Sequence, residues 1–297
     1  MDVRRIIPFL AMPLLLVVVE LGALALSLPV QEAGLAAFED PESVANPFIF
    51  IAILLVFTAF LLVLIKYGQK WVISAVIWLS IFLTFIYIFS AIIFAAIGAT
   101  DAGTVLVFAV AVAATALLYK FPEWYVIDIL GVLIAAGVAS IFGVSLEILP
   151  VVILLILLAV YDAISVYKTK HMLTLAEGVI DLKTPILFVI PKKRDYSYIH
   201  EGIGKLDGEG ERSAFIMGMG DLIMPSILVV SANVFLAGSR IFGFVNIPAL
   251  GAILGSLAGL VVLLYFVSSG RPQAGLPPLN GGTLLGFFIG WGLVGFV

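Results

Sequence analysis

The sequence predicts an all-α polytopic membrane protein of nine transmembrane helices, with the N-terminus in the cytoplasm and the C-terminus outside. Three observations carry that fold class. The chain of 297 residues is 63% hydrophobic and only 11% charged, too few charges to cover its apolar surface in water. It contains nine apolar runs near the roughly 20 residues needed to cross a bilayer. Its basic residues fall on one side of the alternating topology those runs imply.

The first run, 6–28, follows Arg4 and Arg5. It is too long for a signal-peptide core and has no convincing cleavage site, so it reads as a retained anchor. The next runs are 47–65, 72–99 and the short 103–119. The apolar stretch 125–167 is too long for one crossing, and Glu147 and Pro150 divide it into 125–144 and 149–167. Three more follow at 214–236, 247–267 and the glycine-rich 276–297. One integral membrane domain thus comprises helices one to six (1–167), a cytoplasmic loop (168–213) and helices seven to nine (214–297).

The charges test this count. With Arg4 and Arg5 inside, alternation places every one of the 15 basic residues in the cytoplasm except Arg240. Glu32, Glu39, Asp40, Glu42, Asp101 and Glu147 lie outside, and Trp71 and Trp124 fall at inner interfaces. A wrong count would scramble this bias.

Within the loop, Met172, Leu175, Ala176 and Val179 have helical spacing that suits an extension of the sixth helix along the membrane surface. Pro185 to Pro191 is a β-prone run fenced by prolines, and from Lys192 to Arg212 the chain is charged, glycine-rich and expected to be mobile.

Several functions are excluded. There are no cysteines, and the two histidines, His171 and His200, have no metal-binding spacing. No nucleotide loop and no basic aromatic patch occurs, so neither a cofactor, a metal nor nucleic acid is expected.

The chemistry lies in two intramembrane acids. Asp221 closes Gly218-Met219-Gly220-Asp221 in the seventh run, and Asp162 follows Tyr161 in the sixth. Asp162 is six residues before Lys168 and Asp221 nine after Arg212, depths of roughly 9 and 13 Å from the inner ends at 1.5 Å per residue. Acids at matched depth on sequential antiparallel helices can meet. Such a pair retains one proton and suits peptide hydrolysis: one acid draws a proton from water while the other polarises the scissile carbonyl. The same acids would equally serve a proton-coupled transporter or ion leak channel, although the absence of a visible repeat weighs against that. Gly218 and Gly220 would let a neighbouring backbone approach, and Tyr161 could orient the site. Asp128, near the inner interface, reads as a solvated, snorkelling acid. Glu20 has no role beyond a possible lumen or partner.

Tyr161-Asp162 on a sixth span and Gly218-Met219-Gly220-Asp221 on a seventh resemble the YD and GxGD motifs of the presenilin/signal peptide peptidase superfamily of intramembrane aspartyl proteases. Span number and loop position extend the likeness over the whole chain. The resemblance implies that Asp162 and Asp221 are the catalytic pair, that no metal or cofactor is needed, and that substrates are single-pass transmembrane proteins or peptides in the lipid bilayer. A homo-oligomer is compatible with the sequence. Pro225 and the Pro185–Pro191 run look like signal peptide peptidase. The cytoplasmic loop instead favours a presenilin-type homologue, and its brevity a prokaryotic or archaeal one, in the cell membrane.

The family's Pro-Ala-Leu motif belongs at the start of the ninth span. The literal Pro248-Ala249-Leu250 opens the eighth, far from the acids, so the motif is carried onto Pro277, Pro278 and Leu279, with proline in place of alanine. Tandem prolines leave backbone groups free for an extended substrate. The β-prone Ile186, Leu187, Phe188, Val189 and Ile190 are the second expected partner for that strand.

Overall fold

The computed structural model describes residues 3–168, 187–193, 195–202, 214–238, 240–241, 243–267 and 273–295, with side chains from residue 10 to residue 294. Ile186, the 172–179 stretch and 203–213 lie outside the described residues. The helices α1 (Val3–Glu32), α2 (Ala45–Lys66), α3 (Lys70–Ile97), α4 (Asp101–Lys120), α5 (Trp124–Ser145) and α6 (Ile148–Tyr167) come first. Then come strand β1 (Leu187–Pro191), a single turn α7 (Tyr198–Glu201), strand β2 (Ala214–Gly218) and helix α8 (Met219–Phe235). The chain ends with the short strands β3 (Arg240–Ile241) and β4 (Val245–Asn246), then α9 (Ile247–Val267) and α10 (Leu276–Gly295).

Seven of these helices, α1 to α6 and α9, are long and apolar enough to cross a membrane. The expected division near Glu147 is present: Glu147 is the extended residue before α6. The seventh run departs from expectation. Only Met219–Phe235, 17 residues, is helical, and Ala214–Gly218 is a strand paired antiparallel with β1. The fold is therefore not purely helical. The reason is local. Phe215, Ile216 and Met217 are as apolar as a helix would require but are followed by glycine, and an extended partner lies beside them. Pairing satisfies backbone groups that lipid could not.

α8 is the axis of the bundle, in contact with α1, α5, α6, α9 and α10. Every residue from Pro225 to Asn233 is buried, which is why this helix has no polar face. Ser226 and Ser231 within it return their hydroxyls to the carbonyls of Leu222 and Leu146, each at 2.7 Å.

α9 and α10 pack backbone against backbone. A Cβ on Gly251 would strike the Gly286 carbonyl oxygen, one on Gly255 that of Gly282, and one on Gly259 that of Pro278. Small residues permit this approach in lipid, where helix association depends on close packing. α10 carries polar Asn280 and Thr283, both fully buried.

Part of the loop expected to be mobile is docked. Glu123, before α5, accepts the Ser197 hydroxyl at 2.6 Å and the Tyr198 amide at 3.0 Å. Tyr196 and Tyr198 are buried against α3 to α5, and burial raises both phenols above their ordinary pKa. Two aromatic rings within three residues, Tyr196 and Tyr198, outweigh the neighbouring charges.

The glycine contact between α9 and α10 has a measurable consequence. Gly255→Ala should destabilise the fold by ~1–3 kcal/mol, because no rotamer relieves a clash with backbone. Gly292→Ala, with nothing within 4 Å of its added methyl, should be neutral or slightly stabilising. Thermal unfolding in detergent should separate the two variants. Equal midpoints would show that the helices do not need this approach.

Candidate active site

Asp162 lies in the last two turns of α6 and is 8% exposed. Its Oδ2 accepts the N–H of Leu276, the first residue of α10, at 3.0 Å. Asp221 is the third residue of α8 and half-buried. Its carboxyl group lies against Gly275: a Cβ there would sit 2.9 Å from Oδ1 and 3.0 Å from Cγ and Oδ2. A Cβ on Gly218 would sit 3.3 Å from Oδ2. Thus the two acids meet consecutive residues, Gly275 and Leu276, and lie within electrostatic reach of one another.

Local sequence explains these positions. Gly218 is extended, with φ −64° and ψ 137°, and passes the chain from β2 into α8. Pro225 stands four residues after Asp221, and proline has no amide to give to the Asp221 carbonyl. The first turn of α8 is therefore held less by its own ladder than by its surroundings.

Four hydrogen bonds join α6 to α10 and the segment before it. The Tyr167 hydroxyl donates to Gln273 Oε1 at 2.8 Å and accepts the Ala274 amide at 3.2 Å. Asp162 takes the Leu276 amide. Asn280 Nδ2 donates to the Leu155 carbonyl at 3.0 Å. Tyr161 is half-buried beside Asp162, and the Tyr167 hydroxyl holds the segment before α10. Tyr167 and Gly275 escape sequence reasoning. Their signals are slight: a tyrosine ending an apolar run and a glycine shortly before two prolines.

Other expectations change. Gly220 is exposed, and among the described residues no heavy atom lies within 4 Å of a Cβ placed there, so none of their backbones approaches it and they leave space beside Asp221. Met219 is buried. Pro277 and Pro278 do not break the helix. They occupy the first turn of α10, where amides have no intrahelical acceptor. The backbone expected to be free is engaged: Leu276 N–H by Asp162, and Gly275 C=O by Leu279 N–H at 3.4 Å. Leu279 is fully buried in a cluster with Met219, Leu222 and Leu260. Pro248 packs near Gly290, about 14 residues and so ~21 Å along α10 from Leu276, which agrees with its exclusion from the site.

The remaining acids are buried, not snorkelling. Asp128 is 9% exposed, and its Oδ1 accepts the Val189 amide of β1 at 2.9 Å. Glu20 is fully buried in the bundle and accepts the Ser256 hydroxyl at 2.7 Å. Sequence gives depth but not the neighbour across the interface.

The Asp128 bond also orients the sheet. Val189 donates away from β2, so Val189↔Ile216 is a non-hydrogen-bonded pair in the antiparallel ladder. Phe188 and Ile190 then bond to β2 through Met217 and Phe215. It follows that Ala214, Ile216 and Gly218 turn their amides and carbonyls to the other side, along the edge of β2 that runs into Asp221. Among the described residues, Leu187, Phe188, Val189 and Ile190 thus have β2 on one edge and α5 at the other.

The comparisons agree with this geometry. The sequence model for "Signal-peptide peptidase, presenilin aspartyl protease" matches residues 13–296. No curated protein matches the chain. A solved structure of a presenilin family intramembrane aspartate protease in space group C222 is 52% identical, with 96% of this chain and 99% of that chain covered and a TM-score of 0.72. A second, in space group P2, is 53% identical with 96% and 98% covered and a TM-score of 0.70. The transporter or leak-channel alternative finds no support among them. The chain belongs to the presenilin/signal peptide peptidase family and is a multi-pass intramembrane aspartyl protease.

Proposed function

We propose that Asp162 and Asp221 are the catalytic pair and that they cleave single-pass transmembrane helices in the inner part of the bilayer. The observation that carries this is their convergence on Gly275 and Leu276, beside the open space at Gly220. One carboxylate removes a proton from water as its oxygen attacks the scissile carbonyl carbon. The other, protonated, gives its proton to the carbonyl oxygen. Collapse of the resulting diol breaks the C–N bond, and a proton passes to the leaving amine. Asp162→Asn and Asp221→Asn should each reduce turnover of a transmembrane peptide by at least ~10²–10⁴-fold without altering the unfolding temperature. Substantial cleavage by either purified variant, followed by mass spectrometry, would sink the assignment.

In this reading the chain crosses the membrane nine times, with β2 and α8 together making the seventh crossing and α10 the ninth. The excess of lysine and arginine places the 168–213 loop in the cytoplasm and the C-terminus outside. A tag inserted near Gly208 should resist protease added to intact cells. Its digestion from outside would reverse the topology.

A substrate peptide bond within an α-helix is wrapped by its own turns. Hydrolysis needs local unwinding, and each freed amide and carbonyl needs a partner in lipid. The outward edge of β2, at Ala214 and Ile216, is suited to that role, with Leu187 to Ile190 as the strand behind it. Strand addition there leads the substrate toward Asp221. Pro277 and Pro278 close the other side as the rigid start of α10, and Leu279 anchors that turn in the core. Ile216→Pro removes an outward donor while sparing the β1–β2 bonds. It should slow cutting of a stable helical substrate ~10–100-fold and that of a glycine-loosened helix much less. Equal losses, or none, would refute strand addition.

A further inference from the structure

We propose that Asp128 is a positioning residue for proteolysis: with Gly131 it forms a seat on α5 that holds β1, and through β1 sets the register of the β2 edge relative to Asp221. This rests on the strand-addition reading above. Asp128 has no part in the two-aspartate chemistry, yet it is buried in the first two turns of α5 and spends an oxygen on one strand amide. That amide belongs to Val189, the centre of β1, and points away from β2. An unpaired edge amide at membrane depth would be costly. Asp128 satisfies it and at the same time closes that edge to any further strand.

Gly131 lies one turn further along the same face. A Cβ there would sit 2.9 Å from Met219 Cε and 3.1 Å from Phe188 Cε1. The glycine therefore leaves room for a ring of β1 and for the side chain between the two glycines of Gly218-Met219-Gly220-Asp221. Acid and glycine together hold both strands and the start of α8 against one helix. The fixed pairing Val189↔Ile216 then transmits the position of Asp128 to Ile216, on the outward edge, and to Gly218, three residues before Asp221. A slip of one residue would exchange the backbone groups on that edge and bring a different substrate bond to the acids.

The test compares the wild type with Asp128→Asn, which keeps an acceptor oxygen, and Asp128→Val, which does not. Cut positions are read by mass spectrometry, and kcat and KM on a stable helical peptide and on a glycine-loosened one. Asp128→Val is expected to spread the cuts to neighbouring bonds and to lower kcat on the stable helix ~10–100-fold. Asp128→Asn should restore the wild-type cut positions. Val189→Pro removes the same bond from the strand side and should reproduce the spread of cuts if Asp128→Val does not fold. A folded Asp128→Val or Val189→Pro that cuts at the wild-type bond and rate overturns the proposal. So does equal loss on both substrates with cut positions unchanged. Failure of the underlying reading looks different: the wild type would then be insensitive to Ile216→Pro.

Discussion

A carboxyl group within a bilayer needs a donor that water does not supply, and Asp162 finds one in the Leu276 amide. That amide is free because it begins a helix, and the first amides of a helix have no partner of their own. The start of α10 and the acid of α6 therefore complete one another. The close glycine packing of α9 on α10 and the Tyr167 and Asn280 bonds hold that helix start at the level of the acid. Gly275, one residue earlier, then leaves the notch that Asp221 fills.

The same constraint shapes the rest of the site. Changing from strand to helix within a membrane protein frees backbone groups, and each must be met. β2 is met on one side by β1, β1 by the Asp128 carboxylate, and α8 begins at the glycine where the change occurs. Irregular backbone is tolerated in lipid only where protein or a cavity receives it. Here it is received next to the two acids, so the place where a substrate backbone could be accommodated is also where hydrolysis can occur.

Buried and half-buried polar side chains elsewhere work by the same rule in smaller form. Glu123 ties the 196–198 segment to the start of α5. Asn246 joins the β4 turn to α8, through Nδ2 to the Ala232 carbonyl at 2.7 Å. Glu20 meets Ser256 between α1 and α9. Each connects elements distant in sequence, so the bundle is held by a few specific bonds inside nonspecific apolar packing.

Much of this was legible in the sequence, because hydropathy and the cost of burying charge act residue by residue. Those terms determined the long apolar helices, the turn at Glu147 and the two acids set into apolar runs. The YD and GxGD spacing carried the family likeness, and the prolines around 185–191 marked a strand. The meeting of Asp162 and Asp221 follows from their matched depth, but the other pairings across the bundle lay beyond reach. Ala214–Gly218 is apolar enough for helix and strand alike, and only the presence of β1 beside it made it a strand. Asp128 lies near a helix end, where sequence suggests solvent, and only the Val189 amide above it made burial favourable. Pro277 and Pro278 could break a helix or begin one, and the acid that takes the preceding amide made them a beginning. Composition and periodicity determine what each segment avoids. Which neighbour satisfies it depends on contacts between residues far apart in the chain, and only the tertiary structure decided those.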